Sequence, residues 1–424
     1  MNEVSTKQLR IAEIASKNAK EGLTNLHQYI DVNWLEMSMK ELNKKSATGI
    51  DGKTYQEYEK GMTERLPELL KLFKTGMYKA PAVRRVYIKK EDGKERPLGI
   101  PTVEDKLLQH AVKGVIEPIY ELEFFDFSYA FRPGKSQHQA LERMWKEIMS
   151  KGISYILDVD IKNYFGSIVH TIMRSMLDER VKDGVIRRQI DKWLKAGILE
   201  EGNIRYEEEG TPQGGVISPL LSNIYLHNVA DKWYKEIEPL LKGKSFMVRF
   251  ADDCVLGFET KEDAERVKKV IGKRFAKYGL TLHPEKTRLI EFKHGGNGGT
   301  FDFLGFTHYW GKSQKGKPVV KRRTSKKKLR KAIMATKTWI IRNRHQKFGA
   351  IVDGLNRKLQ GHYSYYGITF NSIGIRKYYE EVKSILFKWL NRRGGKRRNW
   401  NGYIKLITQQ KPLAFPRIVH SYLL

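Results

Sequence analysis

The sequence predicts an α+β fold built in more than one structural unit, and three observations carry that prediction. The chain has 424 residues and 40% hydrophobic content, enough to bury sizeable cores in two or more units. Short apolar runs with strand-like alternation, at 80–102, 153–165 and 245–258, lie between segments of helical periodicity. The last part of the chain changes character. Residues 311–424 carry 29 Lys and Arg against three acids, Asp353, Glu380 and Glu381, a net +26 that leaves only +5 for residues 1–310.

The elements follow in order. Residues 1–75 read as mainly helical, with NLHQYIDVNWLEMSMKEL at roughly helical spacing and GIDG (49–52) as a Gly/Asp break. The segment 80–102 reads as a strand pair, with Asp92–Gly93 as its turn. KLLQHAVKGVIEPIYEL is helical, and ISYILDVDIKNYF (153–165) begins as a strand. GTPQGGVISPLLSNIYLHNV (210–229) is a Gly-rich loop leading into an apolar helix. SFMVRFADDCVLGF reads as strand, tight turn, strand; 262–278 returns to helix, and GGNGG (295–299) is a loop. From about 324 the chain is basic and helical, with Thr324 or Ser325 as the cap. On that helix Leu329, Ile333, Thr336 and Ile340 form one apolar stripe, with the cations elsewhere. The stretch 391–400 is the most linker-like.

Composition narrows the partners. A folded segment with +26 requires a polyanion, and nucleic acid fits best. An anionic membrane surface is the rival, weakened by the absence of any long apolar span. The single cysteine, Cys254, excludes an intrachain disulfide and any cysteine-based zinc site. The N-terminus mixes acids and bases without an apolar core of the secretory kind, so a reducing, cytoplasmic setting is expected.

The chemistry lies in carboxylates placed where carboxylates are costly. Asp252 and Asp253 stand between apolar runs in VRFADDCVLGF, and Asp158 and Asp160 sit at period two in LDVDIKNYF, on one face. Taken singly, each pair also suits a plain turn or a solvated strand edge. Together they suggest one shared cation site, because divalent ions let clustered carboxylates stay ionised. Oxygen-only ligands suit magnesium, and two such ions about 4 Å apart serve in-line attack on a phosphate. Spacing does not separate Asp158 from Asp160 as the ligand.

Eight blocks occur in succession: GIDG (49–52), RRVYIKKEDGKERPLGIPT (84–102), SYAFRPGKSQHQA (128–140), LDVDIKNYF (157–165), GTPQGG (210–215), FADD (250–253), GLTLHPEKT (279–287) and FDFLGF (301–306). That succession resembles the reverse transcriptase/maturase proteins encoded by group II introns. Phe250 stands where the family more often has Tyr, and Ala130 where Gly is usual. The resemblance implies a right-hand polymerase with fingers and an antiparallel palm sheet, followed by an α-helical thumb that doubles as the maturase X domain. It divides the chain into 1–75, an N-terminal helical extension and the start of the fingers; 76–310, fingers and palm; 311–395, thumb and X domain; and 396–424, a short tail and possible reduced DNA-binding segment.

Residue by residue, the resemblance implies metal ligation by Asp160, Asp252, Asp253 and the Ile161 carbonyl, with two Mg2+ ions for which Mn2+ could substitute. Asp158 is then a neighbour. Phe165 matches an aromatic steric gate that leaves no room for a 2′-hydroxyl; ordinary core is its lesser alternative. Arg84, Lys90 and Arg96, six residues apart, match triphosphate contacts, or else form a solvated basic face. Gln213 matches a nucleotide contact in a loop whose glycines permit close backbone approach. Lys286 matches a lysine able to protonate departing pyrophosphate, though a surface lysine would look the same. Phe303, Leu304 and Gly305 match the primer grip, and their neighbours also suit core. Lys326, Lys327, Arg330, Lys337, Arg357 and Lys358 are the expected RNA contacts. Tyr363, Tyr365, Tyr366 and Phe370 are interleaved with cations, either for stacking or, for most of them, as thumb core.

The implied activity is RNA-directed DNA synthesis, with an RNA template and DNA primer, deoxynucleoside triphosphates, target DNA and the intron RNA itself as partners. No HNH endonuclease is expected after residue 424, so a ready-made primer would be needed. The rival readings are a maturase acting only as an RNA-binding splicing factor, a related enzyme recruited to antiphage defence or CRISPR, and an RNA-dependent RNA polymerase.

Overall fold

A computed structural model describes the chain except residues 1–2, 90–92, 94, 201–202, 206–209, 211–213, 296–298, 394–396 and 423–424; the side chains of 96, 203 and 204 also lie outside the description. The catalytic question turns on the central sheet. Its strands are β3 (Tyr155–Val159), β6 (Ser245–Phe250), β7 (Asp253–Phe258) and β8 (Arg288–Glu291), after β1 (Val83–Lys89), β2 (Glu95–Ile100), β4 (Ile198–Glu200) and β5 (Asn203–Arg205) are numbered in chain order. The central order is β6-β7-β3-β8, antiparallel throughout.

Both faces of this sheet are covered, which explains its near-continuous apolar strands. Leu157, Val159, Met247, Cys254, Leu256 and Phe258 face a large helical core. That core includes the helix Val103–Glu121 and the helix Ser218–Leu226, buried at every position but Pro219. Ile156, Phe246, Val248 and Val255 face the other way, into a second core. Period two therefore holds on every strand, and it puts Asp158 and Asp253 on the face of the second core.

The second core is closed by a three-stranded antiparallel sheet of β9 (Phe301–Phe303), β10 (Phe306–Lys312) and β11 (Pro318–Thr324). The helix Gln137–Lys151 packs there too, and its Trp145 indole donates to the Val320 carbonyl at 2.9 Å. This sheet corrects the division at 310/311. Residues 311–324 continue a hairpin; the basic helical region begins only at Lys326. Ser325 takes the N-cap position of that helix, but its side chain makes no capping hydrogen bond.

The first 75 residues form the expected helices, Glu3–Lys17, Val32–Glu41, Tyr55–Glu59 and Met62–Lys74. A third sheet, β2-β1-β4-β5, contains the expected hairpin. Its last described pair is Lys89 with Glu95, and Asp92 of the expected Asp92–Gly93 turn lies outside the described residues. Beyond residue 325, the helices Lys326–Asn343, Phe348–Tyr366 and Ser372–Leu390 share a third core, which Thr336, Ile340, Tyr363 and Tyr403 enter. The last residues are not a loose tail. Tyr403, Ile407 and Leu413 are buried in the helical core, and Tyr422 reaches the second core, where its hydroxyl donates to the His138 carbonyl at 2.8 Å.

Candidate functional site

The acidic pair is presented by a two-residue hairpin. Phe250 pairs Asp253, leaving Ala251 and Asp252 as the turn, and Ala251 takes a left-handed φ of 56°. Positive φ at the first central residue alone is the pattern of a type II′ turn, whose twist suits a hairpin. The turn is held from behind. Arg249 is buried, donating to Asp231 through Nε at 2.7 Å, to Asn223 Oδ1 at 3.1 Å and to the Ala251 carbonyl at 3.2 Å. Asp231 is delivered by a π-turn over His227–Asp231, directly after the buried helix Ser218–Leu226.

Asp160 follows the end of β3 and is clamped by the segment 279–287. The His283 amide donates to the Asp160 carbonyl at 2.8 Å, the Lys162 amide to the Thr281 carbonyl at 2.8 Å, and Ile161 bridges Leu282. The Lys286 ammonium reaches the Asp160 carboxylate at 3.2 and 3.3 Å. The blocks LDVDIKNYF and GLTLHPEKT, more than a hundred residues apart, are thus one local structure.

The carboxylates feel one another. Asp253 is exposed, lining a cleft that opens to solvent. Desolvation first, then the charges of Asp252, Asp160 and Asp158, push its carboxyl up to about 7, with Lys328 pulling the other way. Burial raises Asp158 to about 6, opposed by Arg288, its partner across the strands, and reinforced by Asp160. Such crowding of like charges is what a cation relieves. Among the described residues no three His, Cys, Asp or Glu side chains form a ready cage. An open, all-oxygen set still suits a hard divalent ion that takes substrate phosphates into its shell.

The remaining predicted residues fall into three groups. Some join the acids: Leu304 and Gly305 line the same cleft of about 440 Å³ as Asp253, and Lys286 meets Asp160. Phe303 is buried in the second core. Leu304 and Gly305, at φ 49° and 81°, form a two-residue turn between the paired Phe303 and Phe306, the type I′ pattern. Phe165 lies half-buried, tilted against Tyr164 with ring centres 5.3 Å apart.

A second group is engaged elsewhere. Arg84 donates twice to the Thr48 carbonyl, at 3.0 and 2.7 Å, and so braces the GIDG loop. By register it still shares a strand face with Arg96, which lies opposite Ile88. Lys326, Lys327, Arg330 and Arg357 are exposed; Lys337 and Lys358 are half-buried, with Lys358 over the Trp339 ring at 5.5 Å. The third group, Lys90, Gln213 and the Arg96 side chain, lies outside the described residues. The glycines flanking Gln213 do show why they are glycines. A Cβ on Gly214 would stand 2.6 Å from the Gly99 carbonyl oxygen, and one on Gly210 would stand 3.2 Å from the Phe165 carbonyl oxygen. Here the close approach is to the protein's own backbone.

Sequence reasoning passed over Lys328, which lines the cleft, and singled out Tyr365 and Tyr366 for stacking or thumb core rather than as part of this site. Tyr365 donates to the Leu304 carbonyl at 3.0 Å, and the Ser325 amide to the Gly305 carbonyl at 3.0 Å, so the hairpin turn is tied to the basic helices. The repetition of lysine in KKKLRK hid Lys328; only its place in the helical period distinguishes it.

Residues 88–308, just over half of the chain, match the profile of the reverse transcriptase (RNA-dependent DNA polymerase) family. The chain is 35% identical over 285 residues to the group II intron-encoded protein LtrA of Lactococcus lactis subsp. cremoris, covering 66% of this chain and 47% of that protein. It is 32% identical over 289 residues to protein YkfC of Escherichia coli (strain K12), covering 61% and 74%. A third relative, a 91 kDa protein in the cob intron of Schizosaccharomyces pombe, is 42% identical over 146 residues, or 34% and 18%. The chain therefore spans about half the length of LtrA. With a family profile matched across the sheet that carries the acidic hairpin, this chain belongs to the reverse transcriptase (RNA-dependent DNA polymerase) family.

Proposed function

We propose that the chain is an RNA-directed DNA polymerase that copies intron RNA and also binds that RNA to assist splicing and mobility. The observation that carries the reading is the mutual crowding of Asp160, Asp252 and Asp253 at the end of an antiparallel sheet, beside a cleft walled by the 304–305 turn. Family membership sets the reaction class. The basic helical region supplies the polyanion-binding surface and is read as thumb and X domain, with 1–75 as extension, the sheets as fingers and palm, and the residues after 395 as a docked C-terminal segment.

Asp160, Asp252, Asp253 and the Ile161 carbonyl would hold two Mg2+ ions, with Mn2+ a workable substitute. When bound, such ions lower the pKa of an attacking hydroxyl and stabilise charge on the phosphate and leaving oxygen. The protein's part is placement. The 304–305 turn holds the primer end at the cleft, so that its 3′-hydroxyl meets the α-phosphate of a deoxynucleoside triphosphate in line. Phe165 packs against the sugar and excludes a 2′-hydroxyl. Lys90 and Arg96 grip the triphosphate, Arg84 braces β1 against the Thr48 carbonyl, and Gln213 touches the nucleotide. Lys286, held beside Asp160, offers a proton to pyrophosphate as it leaves.

The test separates the two activities. Asp252→Ala/Asp253→Ala should abolish magnesium-dependent extension of a DNA primer on an RNA template, by at least about 10³-fold, while leaving RNA binding and splicing assistance in place. Survival of extension would remove the active-site assignment. Collapse of both activities in a folded variant would show that one site serves both.

A further inference from the structure

We infer that Lys328 is a primer-contacting residue: its ammonium takes a backbone phosphate of the primer near the 3′ end, in the cleft that Asp253 also lines. The inference rests on the polymerase reading above. It begins from an electrostatic difficulty. The cleft carries Asp253, with Asp252 beside it in the hairpin turn. Metal ions answer those charges at the reacting phosphate. A phosphodiester further back along the primer must still pass the same carboxylates, and it needs a cation of its own.

The same cleft provides one. Lys328 lines it with Leu304, Gly305, Tyr365 and Tyr366, and it sits in the first turn of the helix Lys326–Asn343. It lines the same cleft as Asp253. Lys286 stands in a different place, engaged by Asp160. Lys328 is also fixed in position. The residue three before it, Ser325, donates its amide to the Gly305 carbonyl at 3.0 Å, and the Lys328 side chain passes within 3.6 Å of where a Gly305 Cβ would stand. The same turn that is read as holding the primer end therefore sets the position of this lysine. Tyr365 and Tyr366 add ring surface beside it, suited to a sugar rather than to a second phosphate. A compact ammonium on a flexible stem suits a single phosphate oxygen.

The experiment uses the full chain and a preformed RNA template–DNA primer duplex. For Lys328→Ala and Lys328→Arg, the Kd of the duplex is measured by anisotropy across a salt series, and the KM for duplex and for deoxynucleotide by primer extension. Expected for Lys328→Ala are a Kd and a duplex KM raised about tenfold, a salt slope reduced by about one contact, and an unaltered deoxynucleotide KM. Lys328→Arg should restore most of the binding. A raised deoxynucleotide KM with normal duplex binding would assign Lys328 to the triphosphate and overturn the inference, as would an unchanged Kd and slope. Unfolding midpoints identify a variant that has simply lost its fold; Lys328→Met, which keeps most of the stem, then carries the same test. If wild-type protein binds the duplex but extends nothing, the polymerase reading fails, and the binding arm still reports on Lys328 independently.

Discussion

At the scale of single residues, the acidic turn depends on a buried ion pair that is not part of the chemistry. Arg249 and Asp231 are both excluded from water, and Arg249 also holds the Ala251 carbonyl of the turn. Burial by itself raises the Asp231 carboxyl; the Arg249 guanidinium and then His227 more than offset that, and the net displacement is downward. A carboxyl held down in the fold stabilises above its unfolded pKa, and the contribution disappears as pH falls through the folded value. In Arg249→Met the carboxyl keeps its burial and loses the guanidinium, so its folded pKa moves up past the unfolded one. The sign then reverses: the variant is worst off above that pKa and recovers as the carboxyl takes a proton. Near neutral pH the variant should be about 3–5 kcal/mol less stable than wild type, and the gap should narrow on acidification toward about pH 5. Denaturant unfolding at several pH values checks this; a gap independent of pH would mean that Asp231 is not the group left uncompensated.

At the scale of elements, the turn 304–305 joins the second core to the basic helices, and its backbone geometry leaves little choice at Gly305. The residue has φ 81°, and a Cβ there would stand 3.1 Å from the Tyr366 hydroxyl. Gly305→Ala should cost about 1–2 kcal/mol from the left-handed backbone, with further loss from crowding Tyr366, and should raise the duplex KM because the Ser325 tether moves. Unfolding midpoints and extension kinetics measure both, and a variant of full stability would show that the turn can relax. The sequence displayed this turn as FDFLGF but did not display its neighbours. Strand alternation made β3, β6 and β7 legible, because runs covered on both faces are unmistakably apolar. It left β10 and β11 unread: they carry Lys312, Lys321, Arg322 and Arg323 on a short hairpin, and charge masked the pattern. The acids were legible because carboxylates among apolar residues conflict with local expectation. Lys328 was not, since one lysine in KKKLRK looks like the next until the helix is docked. Arg84 was legible as a basic residue but not as one spent on the Thr48 carbonyl, since a hydrogen bond to a distant loop has no local signature.

At the scale of the whole molecule, the charge is divided as the work is. Residues 1–310 carry +5 and residues 311–424 carry +26. The latter include a core of their own, formed by Ile351, Leu355, Val382 and Tyr403, so the described cations, buried Arg322 apart, are carried by a folded body rather than a solvated tail. No helix among the described residues is long and apolar enough to cross a membrane. A folded surface of one sign repels itself, and binding a nucleic acid releases the counter-ions that otherwise screen both partners. Exposed Lys326, Lys327, Arg330 and Arg357 lie on two adjacent helices of this body. If the surface neutralises roughly 6–10 phosphates, affinity for structured RNA should fall about 10³–10⁵-fold between 50 and 200 mM salt. Asp252→Ala/Asp253→Ala should show the same dependence, because it removes no cation. A combined Lys326→Ala, Lys327→Ala and Arg330→Ala variant should flatten the slope by roughly two to three contacts. A wild-type slope corresponding to fewer than about two phosphates would mean that the +26 is not a phosphate-binding surface, and the body beyond residue 325 would then need a different partner.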